Sequence, residues 1–451
     1  MSSSGSLSNQ RPLDYGLWHD ATASFQWETP LPSFRRVHQQ FPRPLVSDIP
    51  AAVAQAMDSQ EGAARLGGGK RVVITAGSRG IASIPEVLAA VVRQVRRYGG
   101  SPFLVPAMGS HGRATAEGQR ELLADLGITE ETVGAPIEAT MEVVQLGELP
   151  NGMPVYMDRI AAAADAIVVV NRVKPHTDFR GTWESGLSKM IGIGLGKRKL
   201  ADTVHRYGPD GLRDLLPQVA RFVVERKPIA MGIAVIENAY DEVARIVGVP
   251  PSGIAGSEEA ALLVEARELM ASLPFEEIDV LIIEEMGKNV TGSGMDPNIL
   301  GRMKVYGTSD LPRPRIRVVT VHDITKESHG NATGIGLADV TTRHLVDKVD
   351  FEATYINGLT SGLGAIQRIC LPVVAPDDRA AVLTALRVCG RHDLQNARVV
   401  RIKNTLKLEE IDVSESLWSD VQAMERLSPV GEPFHLGFNP EGRMVPFEET
   451  I

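Results

Sequence analysis

Ala166-Ile167-Val168-Val169-Val170 is a run of five apolar residues, four of them β-branched, that ends at Asn171-Arg172. A short apolar run without polar alternation reads as a strand covered on both faces. Arg71-Val72-Val73-Ile74-Thr75, Pro102-Phe103-Leu104-Val105-Pro106 and the stretch from Ile229 to Ile236 read the same way. Helical patterns separate them. Pro85 to Tyr98 sets Val87, Leu88, Val91, Val92 and Val95 on one face, and Thr115 is placed to cap a helix that reaches Leu126 and ends at Gly127. This alternation predicts βαβ units on a largely parallel sheet.

The same alternation resumes further on. A helix is expected from Ser257 to Met270, ending near Pro274, and Ile278 to Ile283 starts a new strand. A strand over 316–321, helices over 340–348 and 379–388, and a strand over 398–402 follow. A chain of 451 residues exceeds one comfortable core, so two domains are expected. The partition is a tail over 1–20, an N-terminal domain over 21–273 and a C-terminal α/β domain over 274–451.

Composition narrows the function. The net charge of −9 argues against a nucleic acid or an anionic membrane as the main partner. Cys370 and Cys389 lack CxxC spacing, so neither a disulfide framework nor a cysteine zinc site is expected, and a reducing cytoplasm fits. No apolar run is long enough to span a membrane, and the serine-rich start lacks a signal-peptide pattern.

In an open parallel sheet, ligands sit beyond the carboxyl ends of the strands. Arg79 follows the first strand, His111 the second, His176 the third, and Glu237 and Asn238 the fourth, so all are expected along one edge. His111 lies in Gly109-Ser110-His111-Gly112-Arg113, where flanking glycines leave room for a ligand; a simple turn histidine fits the same letters. His176, after Lys174-Pro175, is either a general base or a loop cap. Arg79 suits a substrate carboxylate as well as a surface ion pair.

Lys189, in Ser185-Gly186-Leu187-Ser188-Lys189, is a candidate reactive amine, although lysines commonly just extend to solvent. The run Gly192-x-Gly194-x-Gly196-Lys197 fails the spacing of a nucleotide triphosphatase loop. A backbone nest for a single phosphate, helped by Lys197, Arg198 and Lys199, is expected there, with a flexible glycine loop as the plain alternative. His205 is a candidate metal ligand or a structural histidine. The other histidines form no HxH or HxxxH pair.

Taken together, these residues resemble the nickel-pincer-nucleotide-dependent lactate racemase family, from about Ile74 to Val249 and more faintly to the end. The marks are Arg79, Gly109–Arg113 for a Gly-Thr-His-Arg type motif, His176 opening a glycine-containing loop, Ser185–Lys189 for a Ser-Gly-Gly-x-Lys motif, and His205 sixteen residues after the lysine. Two departures stand out: Leu187 replaces the motif's second glycine, and three residues are inserted between His176 and Ser185.

The resemblance implies two α/β domains, each a largely parallel sheet with flanking helices, with the active site in the interdomain cleft. It also implies a nickel-pincer nucleotide, a pyridinium mononucleotide with two sulfur-bearing arms and a nickel ion, made by biosynthesis enzymes acting in trans. By that likeness Lys189 tethers the cofactor, with Ser185, Gly186 and Lys197 beside it, and His205 ligates nickel. The implied reaction is racemisation or epimerisation of lactate or a related 2-hydroxy acid by hydride transfer through a 2-oxo acid, with His111 and His176 as the two proton-transfer bases. Arg79 holds the carboxylate, and Lys288 or Arg302 of the second domain completes substrate binding. The rivals are an NAD-type oxidoreductase, a hydrolase with a metal on His111, His176 and His205, and a non-catalytic sensor that kept the cleft.

Overall fold

The computed structural model describes residues 31–58, 60–78 and 80–450. The expected tail over 1–20 and the candidate Arg79 lie outside them. In chain order the strands are β1 (Phe34–Gln39), β2 (Arg71–Ala76), β3 (Ser101–Pro106), β4 (Val143–Glu148), β5 (Pro154–Asp158), β6 (Ala166–Arg172), β7 (Ile229–Glu237) and β8 (Val243–Val249). They continue with β9 (Glu277–Met286), β10 (Arg315–Ile324), β11 (Val340–Thr342), β12 (Val373–Ala375), β13 (Val399–Ile402), β14 (Glu410–Ser414) and β15 (Leu427–Phe434).

One sheet runs β3-β2-β6-β7-β8. Its first four strands are parallel, and β8 returns antiparallel beside β7. Alternate side chains explain why both faces must be covered. Val73, Ile167 and Val169 point into a core shared with Leu187, Ile191, Leu200, Leu216 and Val219. Ile74, Val168 and Val170 point the other way, against Val87, Leu88, Val91 and Val95 of the helix Ile84–Arg97. The strand ends that precede Ser78, His111 and His176 therefore share one edge, as the parallel order requires.

The second sheet runs β12-β11-β10-β9-β13-β14-β1-β15, parallel as far as β13 and antiparallel beyond it. The chain is thus α/β with mixed, largely parallel sheets. Among the described residues no helix is long and apolar enough to cross a membrane.

Two expectations differ from this fold. β1, placed by sequence in the N-terminal domain, lies in the second sheet between β14 and β15, with Phe34 opposite Ser414 and Phe434. Its buried Arg36 binds the buried carboxylate of Asp412 at 2.7 Å, a pairing that no local pattern announces. The chain therefore passes between the sheets twice. The first passage lies between Phe41, in the second sheet's core, and Val46, whose N–H donates to Val243. The second lies between β8 and β9. The helix expected over 340–348 begins instead as β11, because Val340-Thr341-Thr342 is β-branched and pairs with Thr320 and Val321 of β10. Thr342 then caps a single helical turn, Arg343–Val346, by accepting from the Leu345 N–H.

Candidate active site

The loop after β6 leaves and rejoins the sheet edge at one point. Lys174 and Ser185 form an antiparallel bridge, each N–H donating to the other's carbonyl at 3.0 and 3.2 Å. Inside the loop Glu184, its side chain fully buried, accepts from the N–H groups of His176 (2.6 Å) and Gly181 (3.1 Å) and from Arg180 (3.2 Å) and Arg267 (2.6 Å). A buried carboxylate is tolerable only when so supplied with donors, and here it fixes the backbone that presents His176.

His176 is nearly buried. Its Nδ1 accepts from the Asp178 N–H at 3.0 Å, its ring packs against Phe179, and its Nε2 lies 2.5 Å from Lys189 Nζ. Burial, and then the Lys189 cation, hold the imidazole well below its ordinary pKa, so the ring is neutral at physiological pH. Asp178 stays ionised against its own burial, held at about 2 with the Arg368 cation 2.6 Å away. His205, which ends the helix Lys197–His205, is exposed. Surrounding protein and the same Lys189 cation lower its pKa as well.

Lys189 sits at the start of this helical stretch, and Glu259 holds it there. The buried Glu259 carboxylate accepts from Ser188 N–H and Oγ at 2.9 and 3.1 Å and from Ala255 N–H at 2.7 Å, and burial pushes its pKa up. Gly186 is needed for this contact: a Cβ there would lie 2.4 Å from the Glu259 oxygen.

Ser78, after β2, has its hydroxyl 2.6 Å from His111 Nδ1. The far end of the Ser78 loop is tied down by Glu237, which accepts from Ala82 N–H at 2.7 Å and pairs with Arg172. Asn238 faces away, into its own turn with Tyr240 and Glu242. Gly77 and Gly109 pack within about a methyl's reach of Met190 and Ile193, so both loops lie against the helical stretch that begins at Lys189.

The second domain reaches this site directly. Asn298 contacts Arg180 and donates to the His176 carbonyl at 3.5 Å. Arg368, almost wholly buried, donates to Asp178 and to the Thr177 carbonyl, each at 2.6 Å.

Residues 37–209 match the family model described as the lactate racemase N-terminal domain. Over these residues, less than half of the chain, it is similar to that family. Two solved structures are similar at lower level. A protein from Thermotoga maritima is 16% identical with a TM-score of 0.45, over 63% of this chain and 72% of that one. The lactate racemase apoprotein from Thermoanaerobacterium thermosaccharolyticum is 12% identical with a TM-score of 0.44, over 82% of this chain and 88% of that one. No curated protein matches.

The matched stretch contains His111, His176, Ser185, Gly186, Lys189, Lys197 and His205. Of these, His176 and Lys189 touch, and His205 shares their electrostatic field. Lys197 stands apart and corrects the phosphate reading. Its side chain has no solvent exposure and lies 3.1 Å from the buried carboxylate of Asp158. The glycine run is likewise no nest. It is a helix with a wide π turn over Met190–Gly194, and side chains at Gly192, Gly194 or Gly196 would collide with Leu216, Ala107 or Leu200. Arg302 is also withdrawn: it is buried, paired with Asp339 at 2.6 Å, and donates to the carbonyls of Leu337, Ile316 and Arg317. Lys288 sits beyond β9, donating to Gly292 O at 2.8 Å and Asn357 Oδ1 at 2.5 Å. Among the described residues no three His, Cys, Asp or Glu side chains gather to hold a metal, so the three histidines are not a shared metal centre.

Sequence reasoning missed Glu184, Asp178, Asn298, Arg368 and Ser78. Asp178 and Glu184 were within reach, as acids in the same loop as His176. Nothing local marked Arg368, 190 residues from its partner.

Proposed function

We propose that this protein is a racemase or epimerase of a 2-hydroxy acid that works with a nickel-pincer nucleotide. The observation that carries the reading is the 2.5 Å contact between Lys189 Nζ and His176 Nε2, with His205 within the field of the same cation. A lysine amine, a neutral imidazole and a second imidazole meet where the lactate racemase N-terminal domain matches.

The residues fit the cofactor at two of its ends. Lys189 offers an amine for its acyl arm, and His205 offers one ring nitrogen to a metal whose other donors the cofactor brings. The Gly192–Lys197 run does not fit its phosphate, since the run is packed helix and Lys197 is buried. Bound, the cofactor supplies reversible hydride acceptance, which no side chain here provides.

The remaining work falls to the chain. His176, neutral through burial, takes or returns the hydroxyl proton on one face of the substrate, and His111, oriented by Ser78, serves the other. Arg79 holds the carboxylate while the 2-oxo acid turns, and Lys288 adds a contact from the second domain. Asn298 and Arg368 keep that domain against the His176 loop, where His176 itself is buried.

The test is native mass spectrometry with metal analysis, on protein produced beside the cofactor-making enzymes and then denatured. A nickel-bearing mononucleotide retained on the Lys189 peptide is the expected result. Release on denaturation would remove Lys189 as the tether and keep the function. Protein with neither nickel nor adduct, from a host shown to make the cofactor, would overturn the reading.

A further inference from the structure

Lys197 is an unusual lysine. Its side chain is wholly buried, and its backbone is left-handed, at φ +54, where the helix leading to His205 begins. A non-glycine residue in that region is strained, and such strain persists where surrounding contacts over-determine it. Here the contacts are the Asp158 carboxylate at 3.1 Å, Gln119 Oε1 at 2.9 Å and the carbonyl of Pro106 at 2.5 Å.

Pro106 is the last residue of β3, and the loop that follows carries His111. Gln119, also fully buried, accepts from Lys197 and turns its amide donor to the carbonyls of Gly109 (3.0 Å) and His111 (3.3 Å). Because Lys197 donates to Oε1, the amide nitrogen must face the loop. One ammonium group therefore grips the loop directly at its start and through Gln119 at its end. The same residue sets the start of the His205 helix.

Stability alone does not account for this arrangement. A buried ion pair gains little over apolar side chains of the same volume, and burial already pulls the lysine's pKa down. What it adds is directional: two hydrogen bonds aimed at fixed acceptors, Pro106 O and Gln119 Oε1, beside the ion pair with Asp158.

We propose that Lys197 is a positioning residue for His111, acting through Gln119 and the Pro106 carbonyl. The inference rests on the role given to His111 above, yet its geometry can be judged without turnover.

The experiment compares wild-type protein with Gln119→Leu and Lys197→Met. Its main measurement is the rate at which diethyl pyrocarbonate modifies His111, read by peptide mass spectrometry with the exposed His435 of the second domain as internal reference. Gln119→Leu keeps the Asp158 and Pro106 contacts and removes only the link to the loop, so it decides the matter if Lys197→Met does not fold. His111 is exposed, so the variants change not its access to reagent but the Ser78 contact that fixes its ring. The expected result is a change of about fivefold in its reactivity relative to His435, the worth of about one net hydrogen bond. In cofactor-loaded protein, kcat should fall with KM and nickel content held. Lower thermal stability with unchanged His111 reactivity would overturn the proposal and leave Lys197 a purely structural residue. If His111→Gln itself retains racemisation, the two-base reading fails, while the reactivity result still decides whether Lys197 positions the loop.

Discussion

Arg368, from the second sheet's domain, donates to the carboxylate of Asp178 at 2.6 Å, and Asp178 donates its N–H to Nδ1 of His176. The His176 loop of one domain is thus held by a cation of the other. Arg368→Met would leave Asp178 without its cation and strip donors from the carbonyls of Thr177 and Met303. Arg368 is buried but the Asp178 side chain is 28% exposed, so the loss falls below that of a fully buried pair and nearer to the cost of hydrogen bonds left unmade, about 1–3 kcal/mol. The expected outcome in urea unfolding at neutral pH is a loss of that order, partly recovered in the Arg368→Met/Asp178→Asn double variant. Strict additivity of the two changes would show that the contact carries no coupling.

Asp178 also predicts an acid limb. Its folded pKa of about 2 lies below the unfolded value, so its contribution is complete above about pH 4 and is lost as the pH falls toward 2. Asp178→Asn should flatten stability against pH over that range alone.

His176 works in a different window. Its folded pKa is depressed, chiefly by burial and then by Lys189, so the unfolded chain binds a proton that the folded chain refuses. Stability from this group is full above its unfolded value of about 6.5 and drains away as the pH falls through it. Unfolding free energies between about pH 7 and 5 should decline in wild-type protein and decline less in His176→Gln. Parallel curves would mean that the ring is not buried in a neutral state.

How much of this was legible follows from the range of each interaction. β2, β3, β6 and β7 could be read because a strand covered on both faces is apolar throughout, a property of its own residues. β1 could not, since its partners β14 and β15 lie at the far end of the chain, and only pairing reveals that Arg36 belongs with Asp412. Lys197 shows the same limit at the site. Gly-x-Gly-x-Gly-Lys serves a phosphate nest and a close-packed helix equally well, and Leu216, Asp158 and Gln119 decide between them. The order of His111, His176, Lys189 and His205 was legible as a pattern. Glu259 and Arg368, which help hold the helix and loop in place, carried no local signature, and Glu184 was marked only as an acid in the His176 loop.

Gly186 gives a compact test of that support. A methyl group at this position would meet the Glu259 carboxylate at 2.4 Å, and the same carboxylate holds Ser188 beside Lys189. Gly186→Ala should cost about 1–3 kcal/mol by overpacking, measured by chemical denaturation. It should also change the rate of Lys189 acetylation by acetic anhydride, followed by peptide mass spectrometry. A variant as stable as wild type would show that Glu259 has room to move.

The histidines separate proton transfer from metal binding. His176→Gln and His111→Gln remove a base each and leave Lys189 and His205 in place. In cofactor-loaded protein each should lower racemisation by roughly 10²–10⁴-fold, the usual worth of a positioned acid or base. Nickel content should be unchanged. His205→Ala should do the opposite, losing nickel while the Lys189 adduct remains. The measurements are chiral chromatography of 2-hydroxy acids, metal analysis and intact mass on the same preparations. If His176→Gln turned over normally with nickel present, His176 would not be a base, and the contact with Lys189 would serve only to shape the tether. If all three variants lost nickel together, the histidines would act as one structural unit, and separate roles for them would be wrong.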